Sequence, residues 1–254
     1  MSTGSSGLGV NLYQAYIDAD PIDPSNLPEI SIDEGYAAQR EFVERRTHDE
    51  GPVVGYKIGF TNEAVQSELG VSEPSFGQLH AETVRSDRTF EMESLIEPMI
   101  EPEIAFILGE KLEKPVNRLD VLTATRAVVP VIEVVDSRIE DWEFTAGTAI
   151  ADNSLAARLF PGDSITPPER DLALEGVEVL INGERQATGT GAAVLGHPAA
   201  GVAWLARELS SSGETLQAGD IVTTGSITSP LRVSAGDTIV ARFASLGTVV
   251  VQAE

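Results

Sequence analysis

In the stretch Glu101-Pro102-Glu103-Ile104-Ala105-Phe106-Ile107-Leu108, an acidic entry leads into an unbroken apolar run. The run 104–108 is too short for a helix and rich in β-branched and aromatic residues, which predicts a buried strand. Pro102 suits a strand edge or start. A second stretch, Val128-Val129-Pro130-Val131-Ile132-Glu133-Val134-Val135, is apolar except for Glu133, and its part 131–135 predicts another buried strand.

Upstream of these runs the texture is helical. Ser31 and Glu34 form a capping-box pattern ahead of a helix over 32–49, with Ile32, Tyr36, Phe42 and Val43 on its apolar face and Gly51-Pro52 as its stop. A short strand, 53–60, carries Lys57. Thr61 or Asn62 then caps a helix to about Leu69, and 70–80, with its Gly, Pro and Ser, reads as a loop. Between the two buried runs, Asn117 caps a helix expected over 119–129. Downstream, 177–181 and 184–188 flank Asn182-Gly183 as a hairpin. His197-Pro198 opens a helix through Leu209, with Gly213 just past its end. Two similar turns, 218–220 and 235–237, each precede a strand, and 245–247 turns into the last strand, 248–252. Helices come first, then strands with a few helices. That order predicts an α+β fold with a mixed sheet curled on itself, not a Rossmann alternation. Residues 1–90 are expected to form an N-terminal helical cap region and 91–254 a catalytic β-domain.

The chain has 254 residues, with 17 basic against 40 acidic, a net charge of −23. Such a field repels nucleic acid and anionic membranes. It also repels acidic substrates, so a carboxylate-binding site needs a local cation. The acid is dispersed and lysine is nearly eliminated, a composition read as adaptation to high salt, where screening removes self-repulsion; the alternative is an ordinary acidic cytosolic protein. Cysteine is absent, which excludes disulfides, thiolate nucleophiles and zinc–thiolate sites. No signal peptide is recognised in Met1 to Leu12, and no apolar stretch approaches the roughly 20 residues that span a bilayer; a cytoplasmic protein is expected.

On a strand, Glu101 and Glu103 point the same way. Alone the pair has a bland alternative, two solvated carboxylates. Glu133 is different, because a carboxylate inside an apolar strand must be protonated, paired with an arginine such as Arg126 or Arg138, or bound to metal. Three such carboxylates without cysteine suit a hard divalent cation, Mg²⁺ or Mn²⁺. Lys57 lies between apolar neighbours, whereas Lys111 and Lys114 sit in the charged segment 110–114. A desolvated Lys57 is expected to have a lowered pKa; the alternative is a lysine snorkelling to water. Thr223-Thr224-Gly225-Ser226 is either an anion cradle or a simple β-turn.

Together the segments GYKIGFTNEAVQ (55–66), LGVSEPSFGQL (69–79), EPEIAFILG (101–109), VIEVVDSRIEDW (131–142), ADN (151–153), LGHPAAGVAWLA (195–206) and GDIVTTGSITSP (219–230) resemble the fumarylacetoacetate hydrolase superfamily. The similarity is to its branch of 2-oxopent-4-enoate hydratases and 2-oxo-3-hexenedioate (4-oxalocrotonate) decarboxylases. The resemblance implies a mixed β-roll holding the site, with the N-terminal helical region closing over it. It implies one Mg²⁺ or Mn²⁺ on Glu101, Glu103 and Glu133, an active-site Lys57, and a substrate pocket lined by Thr223, Gly225 and Ser226. Hydratases of this kind often carry an acid where Ser75 stands in Glu73-Pro74-Ser75-Phe76-Gly77. A serine cannot serve as a general base at neutral pH as a carboxylate can, so either Glu73 or a metal-bound water substitutes, or the reaction differs.

The activity implied is hydration of 2-hydroxypenta-2,4-dienoate (2-oxopent-4-enoate) to 4-hydroxy-2-oxopentanoate, in meta-cleavage catabolism of aromatic compounds. The alternatives are decarboxylation of 2-oxo-3-hexenedioate, C–C hydrolysis of an acylpyruvate, and a weakly active partner subunit of a related enzyme. Substrates with a second carboxylate need another cation at their distal end, for which Arg138 and Arg158 are the candidates. Self-association is expected from the resemblance, with no order implied.

Overall fold

The computed structural model describes residues 7–113 and 116–254. Lys114 and the first part of the N-terminal segment lie outside them. The chain runs α1 (Leu8–Asp18), α2 (Ile32–Glu50), β1 (Val53–Gly59), α3 (Glu63–Leu69), β2 (Ser75–His80), β3 (Thr89–Phe90), β4 (Met99–Leu108), α4 (Arg118–Ala124) and β5 (Thr125–Val135). It continues through α5 (Ala146–Ala151), β6 (Ala156–Pro161), β7 (Gly176–Ile181), β8 (Glu184–Thr190), α6 (Pro198–Ser211), β9 (Ile221–Thr223), β10 (Leu231–Arg232), β11 (Thr238–Phe243) and β12 (Gly247–Ala253). Among the described residues, no helix is long and apolar enough to cross a membrane.

Two mixed sheets form the α+β body. The seven-stranded sheet has the order β2-β1-β9-β4-β5-β6, with β10 paired to β4. Within it β1 and β9 run parallel and the other neighbours antiparallel. The five-stranded sheet has the order β3-β12-β11-β7-β8. One apolar core joins them: Ile58, Phe106 and Ile132 of the first sheet share a cluster with Val179, Ile239 and Val251 of the second and with Val202 and Leu205 of α6. The strands β1 and β2 come from the segment expected as the helical cap, so the large sheet draws on both sides of residue 90.

The N-terminal helices pack outside this body. The expected capping box starts α2: Ser31 N–H donates to Glu34 Oε2 at 2.9 Å, and Glu34 N–H to Ser31 Oγ at 3.3 Å. Phe42 and Val43 are buried as expected, whereas Ile32 is exposed. Leu8 and Leu12 of α1, a helix the sequence reading did not identify, bury against Phe42 and Ile139.

Two expectations are corrected. The helix expected over 119–129 ends at Ala124, because from Thr125 the chain pairs with β4, Val128 lying opposite Phe106 and Val129 opposite Ala105. Tertiary pairing of β-branched residues overrides local helical pattern there. The expected loop 70–80 contains β2. Gly77 belongs to that strand and marks a close approach: a Cβ there would lie 2.2 Å from the Asn153 carbonyl oxygen.

Candidate active site

The site grows from the register of β4 and β5. Glu101 stands opposite Glu133 and Glu103 opposite Val131. Glu101 and Glu103, two residues apart, share a face, and Glu133 faces them across the ladder. One carboxylate oxygen from each of the three lies within 4.8 Å of the other two. Glu103 and Glu133 are fully buried and Glu101 is half-buried at the rim. Glu103 Oε2 accepts the Gly225 N–H at 2.8 Å. Glu103 Oε1 and both Glu133 oxygens have no hydrogen-bond donor among the described residues.

Lys57 reaches this cluster from β1. Its Nζ is 3.4 Å from Glu133 Oε1, an ion pair without hydrogen-bond alignment, and it donates to the Ser154 carbonyl at 3.0 Å. Lys57 is buried, so it does not snorkel. The arginine alternative for Glu133 is also answered: Arg126 is exposed, and Arg138 is taken up by Asp152.

Burial drives the electrostatics. It pushes Glu101 up to about 7, with the Glu133 charge adding and Lys57 opposing. Burial, and then the charges of Glu133 and Glu101, hold Glu103 well above the usual carboxylate range. Glu133 is raised by burial against the opposing Lys57 charge. Burial would lower Lys57, but the charges of Glu133, Glu101 and Glu103 outweigh it and the net shift is upward. The expected lowered lysine is thus corrected: its neighbours are anions. Three carboxylates against one ammonium leave two negative charges when all ionise. Buried oxygens without donors and a deficit of two positive charges fit a hard divalent cation.

The turn after β9 closes one side. Gly225 has φ 96°, and a Cβ there would fall 2.1 Å from Thr61 Oγ1, so only glycine fits. Thr223 Oγ1 and Ser226 Oγ are buried without a hydrogen-bond partner among the described residues. Both residues flank Gly225, whose N–H ties this turn to Glu103. Glu73 does not join the carboxylate cluster. It is exposed, beside Tyr36, Phe60 and Trp204 at a cavity of about 320 Å³. Ser75 is not a loop residue: it opens β2, fully buried, and accepts the Ser154 hydroxyl at 3.1 Å. Ser154 touches the site through its carbonyl, which accepts from Lys57, and the neighbouring ADN motif at 151–153 was the available signal.

The fumarylacetoacetate hydrolase C-terminal family model matches residues 62–253. A 2-keto-4-pentenoate hydratase of Paraburkholderia xenovorans (strain LB400) is 38% identical over 245 residues, 94% of this chain and 91% of the relative. A 2-hydroxypent-2,4-dienoate hydratase of Pseudomonas putida is 42% identical over 212 residues, 81% of this chain and 96% of the relative. The solved structure of 4-oxalocrotonate decarboxylase from Pseudomonas putida G7, complexed with magnesium and adipate, superposes with a TM-score of 0.92 at 34% identity, covering 98% of this chain and 96% of that one. With its carboxylate cluster on the family's sheet and relatives this similar along nearly its whole length, the chain belongs to the fumarylacetoacetate hydrolase family.

Proposed function

We propose that this chain is a divalent-metal-dependent hydratase that adds water to 2-hydroxypenta-2,4-dienoate to give 4-hydroxy-2-oxopentanoate. The observation that carries the reading is the buried Glu101–Glu103–Glu133 cluster, rich in undonated oxygens and flanked by Lys57. The names of the hydratase relatives supply the substrate class. Glu101, Glu103 and Glu133 would hold Mg²⁺ or Mn²⁺, a preference consistent with the magnesium complex of the decarboxylase. That ion, when bound, would supply Lewis-acid polarisation of the substrate's 2-oxygen.

The protein's own groups do the rest. Lys57, whose Nζ lies 3.4 Å from Glu133 and donates to the Ser154 carbonyl, clamps the substrate's 1-carboxylate. Thr223 and Ser226 turn their unpartnered hydroxyls to the substrate's oxygens. The dienol loses its 2-hydroxyl proton and gains one at C5, giving 2-oxopent-3-enoate. Water then adds its hydroxyl at C4 and a hydrogen at C3. Proton exchange with solvent is assigned to the exposed Glu73.

The arginines bear on the choice between this substrate and a dicarboxylate. Arg138 is fully buried, and its Nε and backbone N–H both donate to the Asp152 carboxylate. Arg158 Nη1 donates to Tyr16 Oη and the Ala157 carbonyl. Arg138 is therefore committed to Asp152, which removes one of the two cations expected for a distal carboxylate.

The test is an ultraviolet assay with Mg²⁺ or Mn²⁺ on 2-hydroxypenta-2,4-dienoate and 2-hydroxymuconate side by side, with products weighed by mass spectrometry. Water gain on the first is expected. Glu103→Ala should lose roughly 100-fold or more in activity, with metal binding by calorimetry lost in parallel. Loss of CO₂ from the second, without hydration of the first, would overturn the proposal.

A further inference from the structure

The loop between α5 and β6 is strained in a way its own hydrogen bonding does not require. Asn153, Ser154 and Leu155 have φ values of 52°, 48° and 67°. Three successive non-glycine residues in the left-handed region are costly for L-residues and persist only where surrounding structure over-determines them.

The surroundings do so from three sides. Arg138 fixes the entry to the turn: its backbone N–H donates to Asp152 Oδ2 at 2.9 Å, and its guanidinium donates to the Asp152 carbonyl at 2.6 Å as well as to the carboxylate. Asn153 docks the turn on β2. Its Oδ1 accepts the Gln78 N–H at 2.7 Å, and its Nδ2 donates to the Gln78 carbonyl at 2.9 Å, as a neighbouring strand would. Ser154 Oγ donates to the Phe76 carbonyl at 2.9 Å and lies 3.1 Å from Ser75 Oγ.

What the turn delivers is one carbonyl. Ser154, its middle residue, directs its oxygen to Lys57 Nζ at 3.0 Å. The only other partner of that amine among the described residues is Glu133, at 3.4 Å and poorly aligned. Space is cleared for the arrangement too: a Cβ on Gly59 would meet Ser75 Oγ at 3.0 Å, Lys57 Nζ at 3.8 Å and Ser154 Cβ at 3.9 Å.

We infer that the left-handed turn Asn153–Leu155, anchored by Asp152 and by the Asn153–Gln78 contacts, is a positioning device that fixes the direction of the Lys57 amine. Asn153 and Ser154 are positioning residues; they act through Lys57. The inference rests on the reading of Lys57 as an active-site group, so its test includes a readout that needs no substrate. The chain has three lysines, Lys57, Lys111 and Lys114, so lysine labelled with ¹³C at Cε gives a spectrum simple enough to assign by substitution.

In the Mg²⁺-saturated protein, a held Lys57 amine keeps its two Hε protons inequivalent, whereas a freely turning one averages them. Asn153→Ala removes both docking bonds. Ser154→Gly keeps the carbonyl and tolerates the left-handed φ while releasing the hydroxyl, and it serves where the first variant fails to fold. The expected result is two distinct Hε shifts in the unaltered protein that merge in the variants. In the dienoate assay kcat should fall at least tenfold, with KM within twofold. Asn182→Ala is the control: it disturbs another left-handed residue (φ 54°), in the β7–β8 hairpin, and should change neither readout. Averaged Hε shifts in the unaltered protein, or unmoved shifts in a folded variant, would overturn the inference. Silence of the unaltered enzyme toward the dienoate would count against the hydratase reading alone, because the NMR arm is read without substrate.

Discussion

Glu73 and Ser75 sit two residues apart and live in different worlds. Ser75 is sealed under the sheet edge beside Ser154, and Glu73 stands in water beside Phe60 and Trp204. A neutral hydroxyl cannot take a proton at neutral pH as a carboxylate can, so in the proposed mechanism the exposed Glu73 carries the acid–base work. Because Glu73 is exposed, solvent and buffer carboxylates can partly replace it. Glu73→Gln should therefore lower kcat by only about tenfold, at the weak end of general acid–base contributions, with KM unchanged and partial rescue by added acetate. A variant with unaltered kcat would remove Glu73 from the mechanism. The metal-type residues were legible at this scale for a simple reason. A carboxylate inside an apolar strand demands a partner, and a chain nearly purged of lysine that keeps one between apolar neighbours needs it. The partner of Arg138 was not legible. Its closeness in sequence to Glu133 suggested a pair, but β5 leads it away to Asp152, a residue brought near only by the fold.

At the scale of elements, α2 is held to the sheet by a buried polar knot. Arg46 is buried and donates to Glu50 Oε2 at 2.7 Å and to the Ala156 carbonyl at 3.2 Å, and Tyr16 donates its hydroxyl to Glu50 Oε1. His80, fully buried at the end of β2, lies with Nδ1 3.6 Å from Glu50 Oε2. Burial first, and the Arg46 charge second, push His80 down to about 4, while Glu50 opposes. The unfolded chain, with an ordinary histidine near 6.5, then binds more protons than the folded one between about 6.5 and 4. Stability is lost as pH falls through that window. The raised site carboxylates act oppositely, but they are common to protein and variant. In urea unfolding at pH 7.5 and pH 4.5, His80→Gln should lose about 2–3 kcal/mol less than the unaltered protein. Equal losses would show that His80 is not held neutral. The elements that carry the site were readable where local signals agreed with the fold: the Ser31 box, the Asn182-Gly183 hairpin, Pro198 opening α6. They were misread where a distant partner decided. Gly77 looked like a loop residue and is a strand residue pressed against Asn153. Val128 and Val129 looked like the end of a helix and are paired to Phe106 and Ala105. The helix α1 escaped notice because its apolar face finds its partners, Phe42, Ile139 and Ala151, only in the fold.

For the whole molecule the governing quantity is charge. Forty acidic and 17 basic residues leave −23 on a body whose radius of gyration is about 18 Å. At about 0.1 M salt the screening length is ~10 Å, so carboxylates on neighbouring elements still repel; at about 1 M it is ~3 Å and only contact pairs are felt. Exposed pairs such as Arg242–Glu178 weaken under the same screening, but they are worth little each. The buried pairs Arg138–Asp152 and Lys57–Glu133 are shielded from it. Added salt therefore removes repulsion from the folded state and leaves its interior bonds intact. The melting temperature should rise by on the order of 10 °C between about 0.05 M and 2 M KCl and level off once screening is complete. NaCl should do the same, because screening depends on ionic strength and not on the cation. The same field opposes an anionic dienoate on its way to the site. kcat/KM should accordingly climb with ionic strength more steeply than kcat, since the barrier lies in the approach and not in the site. A flat melting curve with an unchanged kcat/KM would mean that the excess charge is neutralised locally by bound cations. In that case ²³Na relaxation, which broadens when sodium is held at a surface, would report them at low salt.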